Sequence, residues 1–303
     1  MVKSLFNAFR DEGLGIAAYF SKADWHSPYY WAPGMEYSAW CNRNPTYATE
    51  DYPWMWEQFV QFTKEQILEL MKNYGKIDSL WLDAGWVEPN NPRTKQDIRL
   101  SEIVAEARKY QPGLMVADRT VGGENENYVT PEQTVPDAPL GVPWESCVTI
   151  GDHFAYHFDE NYRQPKELVH MLMDIVAKGG NLALNIAPQP DGKLPEKAVV
   201  VLNGLGAWLK KNGDAVYGTR VLAPYRVGNL AYTQNLKTKT YYAVYLPEGD
   251  EQPAELVIPF EQPVSTITFN GAPVQFTRND KAITVTLPAG YEQEAAYVFT
   301  MKP

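Results

Sequence analysis

Cysteine is nearly absent from this chain of 303 residues: there are two, Cys41 and Cys147, too far apart to read as a metal-binding pair. A zinc site and a disulfide framework are therefore excluded, and each reads as a small buried hydrophobe. Positive charge is scarce as well. Against 37 Asp and Glu stand 27 Lys and Arg, a formal net charge of −10, so no basic face can be assembled for nucleic acid, an anionic membrane or a phosphate-rich substrate. No apolar run reaches about 18 residues, so no membrane-spanning helix is expected. The start, Met1 to Gly13, mixes charges with apolar residues at helical spacing instead of the unbroken apolar core of an export signal. As it stands the chain reads as cytoplasmic, with its compartment open. No Gly-x-Gly-x-x-Gly turn follows a strand, which removes the usual nucleotide crevice.

Aromatic residues are abundant, at 13% with nine Trp and nineteen Tyr. Flat rings that stack on sugars would use the surplus, as would an aromatic core or a subunit interface. Hydrophobic residues at 45% and charged ones at 21% describe a globular chain with material for a sizeable core. Its length suits two domains.

The pattern is organised around Asp78-Ser79-Leu80-Trp81-Leu82-Asp83-Ala84-Gly85-Trp86. Its apolar residues run together, which reads as a strand buried on both faces, with Gly85 at its end. Helical segments on either side, at 54–74 and Thr94–Tyr110, make it part of a β/α succession, in which chemistry sits at the strands' carboxyl ends. Asp83 stands at that end between two tryptophans. Strands are expected also at Gly15–Phe20, Leu114–Arg119, Pro143–Ile150 and Asn181–Pro188, with helices at Pro165–Lys178 and Pro195–Lys211. Two long loops interrupt the succession. Residues 24–53 hold Asp24, Trp25, His26, Tyr29, Tyr30, Trp31, Trp40 and four prolines, and residues 120–143 hold Glu124, Glu126, Glu132 and Asp137. A structureless loop as long as the first is usually functional and reads as one wall of a pocket. From Tyr217 the periodicity changes to two, with short strands at Tyr241–Leu246, Glu255–Ile258, Ser265–Phe269 and Ile283–Leu287. The expectation is an α/β domain over 1–216, five parallel strands of a partial (β/α)8-like barrel, followed by a β-sandwich over 217–303.

Several segments together resemble the α-L-fucosidases of glycoside hydrolase family 29. They are Tyr19-Phe20-Ser21-Lys22-Ala23-Asp24-Trp25-His26, Leu80-Trp81-Leu82-Asp83, Glu126-Asn127-Tyr128-Val129-Thr130-Pro131-Glu132-Gln133, Pro143-Trp144-Glu145-Ser146-Cys147, Gly179 to Pro188 and Asn212 to Arg220. The Glu-Asn-Tyr-Val-Thr-Pro-Glu-Gln run and the Asp-Trp-His loop are more similar to the subgroup that prefers α-1,3 and α-1,4 fucose branches. The resemblance implies a barrel and a β-sandwich, with the five strands matching the family's fourth to eighth and no counterpart to the first three, nor to a His-His-Asp-Gly-Phe stretch found there.

It also implies chemistry. A retaining glycosidase uses two carboxylates about 5–5.5 Å apart, one as nucleophile and one as acid and then base, and needs neither metal nor cofactor. Asp83 matches the nucleophile. Glu126, 43 residues further on, is the first choice for the acid/base, with Glu124, Glu132 and Glu145 as alternatives. Tyr19, Trp25, His26, Trp81, Arg119 and Trp144 resemble substrate-binding positions, while His153 and His157 read as structural. The implied substrate is a fucosylated glycan. Competing readings are a non-catalytic glycan-binding relic and a barrel hydrolase acting on another sugar. Unpaired edges on a partial barrel predict a homo-oligomer.

Overall fold

The computed structural model describes residues 1–35, 43–119 and 121–303; Trp40 and Cys41 lie outside them. The chain forms two compact units, Met1–Thr130 and Pro131–Pro303. The first holds α1 (Val2–Asp11), β1 (Ala17–Ser21), α2 (Pro53–Asn73), β2 (Ser79–Asp83), α3 (Leu100–Tyr110) and β3 (Met115–Ala117). Its strands are parallel in the order β1-β2-β3, with Ser21 opposite Asp83 and Trp81 opposite Ala117.

Strand alternation sorts the side chains. Ala18, Leu80, Leu82 and Val116 meet Ile67, Leu68 and Met71 of α2 and Ile103, Val104 and Ala107 of α3, forming a core closed to water. Tyr19, Trp81 and Asp83 fall on the other face. The expectation that β2 is buried on both faces is therefore corrected: Trp81 and Asp83 are half-buried and Tyr19 is exposed.

α3 begins at Leu100 rather than Thr94. The preceding residues are tied down elsewhere: Thr94 Oγ1 lies 3.0 Å from Thr49 Oγ1, and Gln96 accepts from Tyr30 Oη at 2.9 Å. Asp97 accepts the Arg99 amide at 2.7 Å while Arg99 adopts φ 56°. A side chain that satisfies the backbone locally removes the reason to be helical. Up to Tyr52 the 24–53 loop has no regular elements among its described residues, yet Tyr30, Ala32 and Tyr47 are buried, so part of it serves as core.

The second unit begins with β4 (Glu145–Thr149) and β5 (Asn181–Asn185), parallel neighbours, with α4 (Pro165–Ala177) between them and α5 (Glu196–Asn212) after. α4 opens with a capping box between Gln164 and Glu167. From Arg220 every element is a strand: β6 (Arg220–Val227), β7 (Leu230–Asn235), β8 (Thr240–Tyr245), β9 (Glu255–Pro259), β10 (Thr266–Phe269), β11 (Ala272–Pro273), β12 (Gln275–Arg278), β13 (Ala282–Thr286) and β14 (Tyr297–Lys302). They build a six-stranded antiparallel sheet, β11-β10-β14-β8-β7-β6, and a three-stranded one, β12-β13-β9.

The six-stranded sheet is buried on both faces. Tyr232, Ala243, Phe299 and Met301 face Ile258, Ile283 and Val285 of the smaller sheet, whereas Ala231, Tyr242, Val244 and Val298 pack on Leu168, Leu172, Val201 and Leu205 of α4 and α5. The second core continues from the helices into the strands, so the change of pattern near Tyr217 is a change of element type within one core. Cys147, on β4, is partly exposed rather than buried as the sequence suggested.

Candidate active site

Asp83 ends β2, and its carboxylate is held at both oxygens. Tyr19 Oη donates to Oδ2 at 2.6 Å, and Arg119 Nε donates to Oδ1 at 2.9 Å. Burial pushes the Asp83 carboxyl up, but the hydrogen bonds from Tyr19, the Ala84 amide and Arg119, with the guanidinium charge, outweigh it and hold the group below the usual carboxylate range. About 31% of the side chain remains open. Each carboxylate oxygen has two acceptor sites, so an anion bonded in this way still presents a lone pair.

The surroundings are aromatic. Tyr19 stacks on Trp81 with ring centroids 5.6 Å apart and planes at 21°, and the Arg119 guanidinium lies 5.1 Å from the Trp81 ring centroid. Tyr19 and Trp81 are directly opposite each other on parallel strands, which is why their rings meet. At 61% exposure, Tyr19 offers a ring face to a ligand.

Backbone conformation is unusual at this end of the sheet. Ala84 has φ 66° and Arg119 has φ 54°, both left-handed. A Cβ on Gly85 would stand 3.0 Å from the Arg119 carbonyl oxygen, so glycine lets the β3 tip close on the β2 tip. Arg119 Nη1 also donates to the Thr130 carbonyl at 3.1 Å, which ties the loop after β3 to the same guanidinium. Strained backbone at a charged cluster is a pattern of functional sites.

The other expected residues scatter. Trp25 and His26 are exposed on the loop after β1, where Asp24 Oδ1 accepts the His26 amide at 2.8 Å. Glu126 is half-buried, and its Oε2 accepts the Gly122 amide at 2.6 Å. The next residue, Asn127, pairs with Val116 of β3 through its amide at 2.8 Å and its side chain at 2.8 Å. Glu124 is exposed and accepts from Ser101 Oγ at 2.7 Å. Glu132 is exposed and bridges in parallel to Cys147. Glu145 starts β4, at the amino end of that strand.

Trp144 corrects an expectation. It is 1% exposed, precedes β4, and its Nε1 donates to the Lys178 carbonyl at 3.4 Å. A Cβ on Gly180 would reach 2.4 Å from its ring, so the indole lies flat on that glycine and has no face left for a sugar. His153 and His157 stack at 4.5 Å, with His153 Nδ1 3.1 Å from Glu160 Oε2.

Sequence reading missed one feature beside this site. Lys22, directly after β1, and Asp118, directly before Arg119, form a buried ion pair at 2.5 Å with side chains 1% and 7% exposed. A lysine at the end of an apolar strand was the only signal, and a partner 96 residues away leaves no local trace.

The chain resembles known proteins over nearly its whole length. It is 26% identical to the alpha-L-fucosidase of Dictyostelium discoideum, covering 95% of this chain and 60% of that protein, and 25% identical to human tissue alpha-L-fucosidase with the same coverages. It thus spans about 60% of the length of these curated relatives. Alpha-L-fucosidase isoenzyme 1 from Paenibacillus thiaminolyticus superposes with a TM-score of 0.82 at 27% identity, over 99% of this chain and 75% of that one. Thermotoga maritima alpha-fucosidase, solved with a mechanism-based inhibitor, gives 0.77 at 26% identity, over 100% and 68%. Matched over residues 1–214 by the model of that family, this chain belongs to the alpha-L-fucosidase family.

Proposed function

We propose that this protein removes terminal α-linked L-fucose from glycans with retention of configuration, Asp83 acting as nucleophile. The observation that carries the reading is the Asp83 carboxylate, kept ionised by Tyr19 and Arg119 at a strand tip beside stacked aromatic rings. Asp83 attacks the anomeric carbon and forms a glycosyl ester while a protonated glutamic acid gives its proton to the departing oxygen. The same glutamate then takes a proton from water, which attacks the ester and frees fucose and the carboxylate. The Tyr19 and Trp81 ring faces supply an apolar wall for the sugar.

The acid/base belongs to the segment after β3. Glu126 is the choice by resemblance, within the Glu-Asn-Tyr run, but Asn127 lies along the far edge of β3, about two strand spacings or roughly 9.6 Å from β2. Glu124, Glu132 and Glu145 are the alternatives that the resemblance offers. The preference for α-1,3 and α-1,4 branches rests on the Asp24-Trp25-His26 loop and the Glu126–Gln133 run.

Turnover of an aryl α-L-fucoside and of a Lewis-type trisaccharide by the wild type, Asp83→Ala, Glu126→Ala and Glu132→Ala tests the scheme. Loss in Asp83→Ala with partial return on adding azide, and the same in one glutamate variant, supports it and identifies the acid. An inactive wild type that still binds fucose would leave a glycan-binding protein. Equal activity in Asp83→Ala overturns the assignment.

A further inference from the structure

The geometry points to the buried Lys22–Asp118 pair as the device that positions Arg119 and Tyr19 on Asp83. The pair touches no substrate, so it is a positioning pair, and its role rests on the fucosidase reading of Asp83.

Three observations carry it. β1 and β3 flank β2, and Lys22 and Asp118 follow the last residues of those two strands. Their side chains therefore meet across the end of β2, a gap of two strand spacings, about 9.6 Å, that a lysine stem and a short carboxylate can close. Second, both ends of the link are fastened to Asp83. The Lys22 amide donates to the Asp83 carbonyl at 3.2 Å, and Asp118 is bonded in sequence to Arg119, whose Nε meets Asp83 Oδ1 at 2.9 Å. Third, Arg119 is held at φ 54°, where the backbone has few neighbours in energy and must be fixed from outside. Alternation along β1 and β3 puts Lys22 and Asp118 on the side of Ala18 and Val116, facing the helix layer, and Tyr19 on the opposite side with Asp83.

The energetics fit a role other than stability. A buried ion pair recovers little more than its desolvation, and apolar replacement of both partners is often neutral or better for folding. Burial pushes the Asp118 carboxyl above the usual range, Lys22 opposes this, and Glu88 adds to it, so the fold holds the carboxylate at a cost. The presence of such a pair directly behind the donors of a reacting carboxylate is explained by the register it enforces between the β1 and β3 tips.

The test removes both charges together, as Lys22→Met/Asp118→Leu, and reads the ionisation of Asp83, whose facing charged and titratable groups are Arg119 and Tyr19. In aspartate-labelled protein, carbon-13 NMR titration is expected to show the Asp83 pKa moving upward in the double variant, because its donors lose alignment. The acid limb of kcat/KM on an aryl fucoside moves upward with it. kcat falls about 10- to 100-fold, the effect expected of a misplacement near 1 Å, and KM changes little. Lys22→Arg, which keeps the link, restores the limb. A double variant that melts like the wild type, with unshifted Asp83 ionisation and undiminished kcat, overturns the proposal. Lys22→Met, which breaks the link and leaves Asp118 free to take a proton, carries the same measurement if the double variant does not fold. Since the NMR readout needs no turnover, an inactive wild type would refute the fucosidase reading and leave the positioning role decided.

Discussion

At the scale of single residues, the site turns on the protonation of one carboxylate. Asp83 is held below the usual carboxylate range, so the fold favours its ionised form. Its contribution to stability is present above the ordinary Asp pKa, near 3.9, and is lost as pH falls through the lowered value. The acid limb of kcat/KM that reports Asp83 is therefore expected below the ordinary value. Tyr19→Phe removes the 2.6 Å donor and raises the Asp83 pKa, so that limb moves to higher pH; an unmoved limb would show that Tyr19 does not act on Asp83. Asp83→Ala is expected to lower kcat/KM about 10³-fold or more, measured on an aryl fucoside. Asp83 and Arg119 were legible in the sequence because each ends an apolar strand, where a charge stands out. Trp144 was carried over from the family resemblance alone, and nothing local says that Gly180 will leave room for its ring.

At the scale of elements, two glycines hold partners close. Gly180→Ala would place a methyl about 2.4 Å from Trp144 carbons. The expected cost is roughly 1–3 kcal/mol of overpacking, seen as a lower melting temperature. Gly85→Ala meets a carbonyl at 3.0 Å instead of a packed ring. It is expected to shift the Arg119 segment and cut kcat more than it lowers the melting temperature; the reverse ranking would place Gly85 in stability alone. Helices α2, α4 and α5 follow closely the apolar spacing that announces them. α3 does not, because hydrogen bonds with Thr49 and Tyr30, and the Asp97 carboxylate accepting the Arg99 amide, claim residues 94–99, and no periodicity encodes a distant tether. β6, β7, β11, β12 and β14 are not announced by the sequence, since a strand buried on both faces, or lying at an edge, loses its alternation.

At the scale of the whole molecule, the strands beyond Arg220 and helices α4 and α5 share one core. A chain ending at residue 216 loses Ala231, Tyr242, Val244 and Val298 from that core. Its α4 and α5 are expected to lose amide-exchange protection while the Met1–Thr130 unit keeps its own; protected α4 and α5 amides in the truncated chain would show that the helices need no sheet. Leu5 and Phe9 of α1 are exposed, and among the described residues β1 pairs only with β2. Association of like chains would cover such surface, so light scattering is expected to give a multiple of 34.3 kDa, and a stable monomer at micromolar concentration would exclude it.

The alternation of strands and helices, the turn to antiparallel strands and the placing of Asp83 at a strand end are written in the order of the residues. Those follow from local periodicity and from the cost of burying charge. Which groups meet is set by the packing of the folded chain. Tyr19 reaches Asp83 from 64 residues away and Lys22 reaches Asp118 from 96, because parallel pairing brings strand ends together whatever the chain length between them.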